Sequence, residues 1–299
     1  MSFDLYLYKQ KGRELSQEEI AGYLTENLTP PNDEGTQWWF ENEETGVYYS
    51  FMLEEAQEDD PEWVKMYGSF ADFGNTGFVF SLNFVRPNFF GMEAFRFVER
   101  FMRDLDLYVL NPQSGLDTEN PRRETFESLY DDWSRPNLSF STAHFDEIQL
   151  IHYPLERSND IWDFSFHRSE MQARLGDDYF VSGALFIAPE DGRKAATLTT
   201  WTQHIPCVLP PVDYVAINRT RKKLFRTVKE TGIVSYETLM SSMGRLFENY
   251  ENKGKIIHPD NAERAGDVFN SLPFEYELSQ LGKQIDLDRL TNAEPGAEA

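Results

Sequence analysis

TGFVFSLNFVRPNFFGMEAFRFVERFMRDLDLYVLNP, residues 76–112, changes its hydrophobic period twice, and those changes decide the fold. Residues 76–86 are apolar and β-rich, so they predict a strand, which Pro87 ends. Phe90, Ala94, Phe97, Val98 and Phe101 then recur at helical spacing. DLYVLNP returns to a strand. At the corner, Arg86 ends the first strand and Gly91 lets the backbone approach closely where the helix begins. A helix N-terminus beside an arginine can hold an anion; a tight strand-to-helix corner explains the same residues, and is the reading preferred.

Working outward, FDLYLYK (3–9) alternates and predicts a first strand. Ser16 with Glu19 forms a capping-box pattern ahead of an apolar face of Ile20, Tyr23, Leu24 and Leu28. TQWWFENEETGVYYSFMLEE (36–55) predicts two strands around a turn at Glu44-Thr45-Gly46. The order β-α-β-β-β-α-β predicts an α+β sandwich with helices on one face of a mainly antiparallel sheet, similar to a ferredoxin-like arrangement. We place this first, acidic domain at 1–112. A connector follows at 113–137, with one short helix around Phe126, Leu129, Tyr130 and Trp133. A second α+β domain covers 138–290, and 291–299 is expected to be a disordered tail. In the second domain EIQLIHY, IWDFSFH, DYFVSGALFIA, KAATLTTW and VDYVAIN predict strands, and 235–250 and 261–272 predict helices.

With 51 Asp and Glu against 28 Lys and Arg, the net charge is −23. Nucleic acid and anionic membrane surfaces repel such a chain, so neither is expected as a direct partner. A single cysteine, Cys207, rules out an internal disulfide and a multi-cysteine zinc site. No apolar run resembles a signal-peptide core or a membrane span, which predicts a cytoplasmic protein.

The charge is concentrated. Between Glu14 and Val64 there are fifteen acids and no Lys, Arg or His, so this stretch carries −15 of the −23. Solubility alone accounts for many such runs. Here, however, Glu41, Glu43 and Glu44 at one end of the hairpin, and Glu54, Glu55, Glu58, Asp59 and Asp60 at the other, are interleaved with Trp38, Trp39, Phe40, Tyr48, Tyr49 and Trp63. Arginine pairs with a carboxylate while stacking on a ring, so this composition suits a cationic protein partner. Adjacent Trp38 and Trp39 point to opposite faces of their strand, and one of them must face away from the helices. NRTRKKLFRTVK (218–229) holds six basic residues and is the internal alternative, a segment onto which the acidic face could dock.

Catalytic motifs are absent: there is no zincin helix, phosphate loop or serine elbow. His144 with Asp146, and His204 with Cys207, are the groups an enzyme would use from a cleft between domains. The structural reading is preferred for both histidines, and for Cys207 that of a small buried apolar residue. No cofactor and no metal is expected.

The opening MSFDLYLYK, the corner NFVRPNFFGMEAF and the closing LDLYVLNPQ resemble pieces of uncharacterised bacterial proteins encoded beside polymorphic toxins, the immunity-protein type. The resemblance covers mainly the first third of the chain and transfers no functional residue. It implies a cytoplasmic inhibitor of a cognate toxin, for which a basic toxin would be the natural match. The expected function is therefore a non-enzymatic protein-binding inhibitor. The alternatives are an enzyme built on the two residue pairs above, and an intracellular scaffold or adaptor.

Overall fold

A computed structural model describes residues 1–55, 59–64, 67, 70–113, 120–190, 192–223 and 226–296. The chain divides into two compact units, Met1–Ala143 and His144–Glu298. Both mix helices and sheets, so the α+β class holds.

The first unit runs β1 (Ser2–Gln10), α1 (Gln17–Asn27), β2 (Gln37–Glu41), β3 (Tyr48–Leu53), a single turn α2 (Pro61–Trp63), β4 (Phe73–Asn83), α3 (Phe89–Asp104), β5 (Tyr108–Leu110) and α4 (Phe126–Ala143). The strands form one sheet in the order β2-β3-β4-β1-β5 with every pairing antiparallel. This is one strand wider than the four of a ferredoxin-like βαββαβ unit. Ser16 caps α1 as the sequence predicts, with the Ser16–Glu19 capping box formed in both directions.

One face of the sheet is buried and rich in aromatic residues, with Leu5, Leu7 and Leu82 among them. Phe3, Phe51, Phe78 and Phe80 are fully buried, and α1 and α3 close over them. Phe51 meets Phe97 and Phe101, Phe80 meets Phe95, and Tyr23 of α1 meets Phe101. Offset and edge-on ring contacts of this kind add to the hydrophobic gain of burial.

The expected connector is largely structural. Residues 126–143 form an 18-residue helix that continues through Pro136, and Leu129 and Trp133 are fully buried. Trp133 packs on Phe95 of α3 and hydrogen-bonds the Asn83 carbonyl. Close approach explains Gly91: a Cβ there would lie 2.7 Å from the Trp133 ring. Asn137, one residue after the proline, is anchored by its side chain to the β4–α3 corner. The first unit therefore extends to Ala143 and not to residue 112.

The second unit opens with β6 (Ile151–His152), α5 (Leu155–Phe166), α6 (Arg168–Leu175), β7 (Phe180–Val181), β8 (Leu185–Ala188), β9 (Ala196–Thr202), β10 (Cys207–Leu209), β11 (Tyr214–Lys223) and β12 (Arg226–Ser235). It continues with α7 (Tyr236–Met243), β13 (Glu248–Tyr250), β14 (Gly254–Ile257), α8 (Pro259–Ser271), α9 (Leu278–Leu281), β15 (Lys283–Gln284) and β16 (Leu290–Thr291). These strands form sheets ordered β13-β14-β10-β7 and β12-β11-β9-β8-β15, plus the pair β16-β6.

Two expectations change here. IWDFSF (161–166) is helical, within α5, and His167 caps it, because Ser158, Ile161, Trp162 and Ser165 are buried at helical spacing while the apparent alternation is incidental. The end of the chain is tied down as far as Ala293: Leu290 and Thr291 pair with Ile151 and His152, and Ala293 is fully buried.

Two glycines in the first unit separate packing from propensity. Gly22 sits in α1 with open space around it, so Gly22→Ala should stabilise the unit by about 0.5–1 kcal/mol. Gly91→Ala should destabilise it by about 1–3 kcal/mol through overpacking against Trp133. Urea unfolding followed by tryptophan fluorescence reads both.

Candidate functional site

The β2–β3 hairpin begins from its turn. Asn42 organises it: its carbonyl accepts from the Gly46 N–H at 2.7 Å, and its side-chain oxygen accepts from the Glu44 N–H at 3.0 Å. Gly46 takes φ 70°, a conformation that suits glycine. Glu93 of α3 reaches up to this turn and accepts from Asn42 Nδ2 at 2.7 Å and from Thr45 Oγ1 at 2.9 Å. The turn is thus locked to the helix layer, and Glu41 ahead of it and Glu43 within it are left exposed.

The two tryptophans resolve as strand parity requires. Trp38 is 1% exposed, packs on Phe78 and donates from its indole to Thr25 of α1. It belongs to the core, so its expected place in a contact surface is corrected. Trp39 is 50% exposed on the opposite face, stacked on Tyr48 with centroids 5.2 Å apart. Tyr48 is itself held: Arg86 donates to its hydroxyl from Nε at 3.0 Å and from Nη2 at 2.5 Å, and Phe90 meets its ring edge-on. Arg86 is buried and also donates to the Phe84 and Val85 carbonyls. The arginine that the sequence offered as an anion ligand instead fixes the aromatic pair, as the tight-corner reading favours.

Trp39, Ser50, Ser81 and Asp4 lie in register across four strands. Asp4 accepts from Ser81 at 2.7 Å and from Ser2 at 2.9 Å, which adds another carboxylate to the Trp39 face. Beyond the far end of β3, Glu54, Glu55, Asp59 and Asp60 are exposed. Asp60 has a structural task, since its carboxylate accepts from the N–H groups of Glu62 and Trp63 at the start of α2. Glu58 lies outside the described residues. Trp63 is not an exposed anchor: it packs on Tyr67, which stacks on Tyr6 at 4.2 Å and accepts the Tyr8 hydroxyl on its carbonyl.

Tyr6, Glu54, Trp63, Asn75 and Gly77 surround a small cavity of about 90 Å³. Partial loss of water, with the nearby Asp4 charge, raises the Glu54 carboxyl above its usual range.

The groups proposed for catalysis are each engaged elsewhere within the second unit. His144 pairs with Glu147 at 2.9 Å, and Asp146 with Arg193 at 2.9 Å. His204, at φ 66°, faces Glu263 and opens onto a groove of about 580 Å³ lined by neutral side chains such as Gln203, Asn218 and Asn270. Cys207 is fully buried in β10, and burial pushes its thiol far above the range of a reactive cysteine. Among the described residues no Cys–His dyad is formed. Among the described residues no group of three or more His, Cys, Asp or Glu could hold a metal ion. Of the basic segment, Arg219 is buried, pairs with Glu230 and donates to the Phe269 and Leu272 carbonyls, so its charge is satisfied within its own unit.

The aromatic pair, its arginine support and the Glu93 clamp escape sequence reading. The one available signal is the RPN corner, which marks Arg86 as unusual without showing what it touches.

Glu54 supplies a pH test. Because its folded-state pKa is raised, the unfolded chain loses this proton first as pH rises, and the folded state loses stability across the range just above the ordinary glutamate value. Glu54→Gln should therefore be more stable than the native chain at pH 7, with the difference disappearing near pH 4. Thermal melts at the two pH values check the sign.

Comparison with family models, curated proteins and solved structures yields no match to this chain.

Proposed function

We propose that this protein is a non-enzymatic inhibitor of the immunity type, acting in the cytoplasm by docking its acidic hairpin on a basic protein, a cognate toxin. The observation that carries this reading is Trp39. It is a half-exposed indole supported from beneath by a fixed tyrosine, within a 51-residue stretch of fifteen acids and no bases. Tryptophan held in one orientation is the residue type most enriched at interface hot spots, and a polar, charged rim commonly surrounds such a core. The contact surface consists of Trp39, Glu41, Glu43, Glu44, Glu54, Glu55 and Asp59, with Glu58 and Asp60 extending it along the sequence. Complementary fields speed encounter and fix orientation, while the desolvated ring supplies affinity.

The enzyme reading lacks an assembled site, since its four candidate groups have the separate engagements described above. A scaffold reading differs in the number of partners and not in the surface used.

Affinity capture from the producing cells, washed across a salt series and read by mass spectrometry, tests the proposal. The native protein should retain one stoichiometric basic partner that elutes more readily at high salt. Reversal of Glu41, Glu43, Glu54, Glu55 and Asp59 to lysine should abolish capture at low salt, and Trp39→Ala should weaken it by roughly 30-fold, the range of an interface hot spot. Unchanged capture by the charge-reversed protein would refute the assignment.

A further inference from the structure

β2 is the edge strand of its sheet, and the phase of its hydrogen bonds shows which groups it leaves open. The Leu53 N–H donates to the Thr36 carbonyl at 2.8 Å, and the Asn42 N–H donates to the Val47 carbonyl at 2.9 Å. In an antiparallel ladder the directly bonded pairs alternate. With Trp38 opposite Phe51 and Phe40 opposite Tyr49, the even-numbered residues bond to β3. The N–H and C=O groups of Gln37, Trp39 and Glu41 therefore point away from the sheet.

Gln37 is closed off. Its carbonyl accepts from the Asn32 N–H at 2.8 Å, and its N–H donates to Asn32 Oδ1 at 3.1 Å. At the other end the turn at Asn42 terminates the strand. What remains is a short window of two residues, Trp39 and Glu41, whose backbone groups have no partner among the described residues. Native sheets usually protect an edge with lysine, proline or a covering loop. This one is short and bears one charge, Glu41, but a half-exposed tryptophan stands beside it on the open window, with Glu43, Asp33 and Glu34 exposed nearby in sequence.

We infer that the edge of β2 receives an extended, arginine-bearing segment of the partner as a sixth strand. This rests on the proposed protein-binding function and specifies its mode. Residues directly opposite one another in adjacent strands project to the same face. Arginines at alternate positions, opposite Trp39 and Glu41, would lie on the outer face of the sheet. One guanidinium stacks on the indole and the next pairs with the carboxylate. The intervening residues point toward the helix layer, where only small or apolar side chains suit. Main-chain bonds supply affinity and the alternating pockets supply selectivity, as in other cases of strand addition.

The test uses the whole protein and two synthetic peptides, an acetylated and amidated Arg-Val-Arg-Val-Arg-Val and the same peptide N-methylated at its arginines. The charge is identical, but the second peptide cannot donate to an edge. At low salt the first peptide should bind and slow amide exchange at Trp39 and Glu41, as read by NMR. N-methylation should weaken binding by about tenfold per bond lost and remove that protection. Equal binding of both peptides without protection at these amides would overturn strand addition while leaving charge-driven docking intact. No binding of either peptide would also overturn it, and the cellular capture experiment then decides separately whether the acidic surface binds anything.

Discussion

The first unit depends on how the chain leaves β4. Val85 adopts φ 61°, a left-handed conformation that a β-branched residue resists at a cost of about 1–3 kcal/mol. Asn137 holds it there. Its side-chain oxygen accepts the Val85 and Arg86 N–H groups at 2.7 and 3.1 Å, and its amide donates to the Arg86 carbonyl at 2.8 Å. Because Asn137 is itself almost fully buried, these three bonds are made out of water, where a missing partner is expensive. The corner turns the chain into α3, so that Phe95, Phe97 and Phe101 meet the sheet and Glu93 meets the hairpin turn. It also points Arg86 at Tyr48. A helix that the sequence presents as a linker thus fixes the support beneath Trp39.

The acidic stretch contains two kinds of carboxylate. Glu18 and Glu19 lie in the first turn of α1, where negative charge meets the positive end of the helix, and Glu19 closes the capping box. Asp60 caps α2. These acids contribute to the fold. Glu41, Glu43, Glu55 and Asp59 have no such task in the described structure, and Glu54 is held at a raised pKa beside Asp4. Fixed like charges of this kind lower stability through mutual repulsion and gain from a cationic neighbour. The same hairpin also bears Trp39 on its open edge, so charge, ring and backbone donors converge on one short strand.

Much of the first unit is legible in the sequence because its signals are local. The capping box at Ser16, the alternation of β1, the Gly46 turn and the helical spacing from Phe90 to Phe101 each specify their element within a few residues. What fails is non-local. The helix over 126–143 runs past the expected connector, and Asn137 within it bonds a corner 51 residues away, a link that no local pattern shows. α5 reads as a strand because five of its residues happen to alternate. Sequence parity requires one of Trp38 and Trp39 to face outward, but the layer that α1 covers decides which. The acids are plain in the composition, whereas the Tyr48–Arg86 contact spans 38 residues and the open phase of β2 depends on register with β3. Neither has a local signature.

A partner bound on this hairpin must shield its backbone amides. The most direct measurement is a hydrogen-exchange footprint of the captured partner on the intact protein. Protection should concentrate in residues 37–55 and be strongest at Trp39 and Glu41, with the β11–β12 hairpin unchanged. Protection confined to the second unit, with the β2 edge exchanging as freely as in the unbound protein, would contradict it.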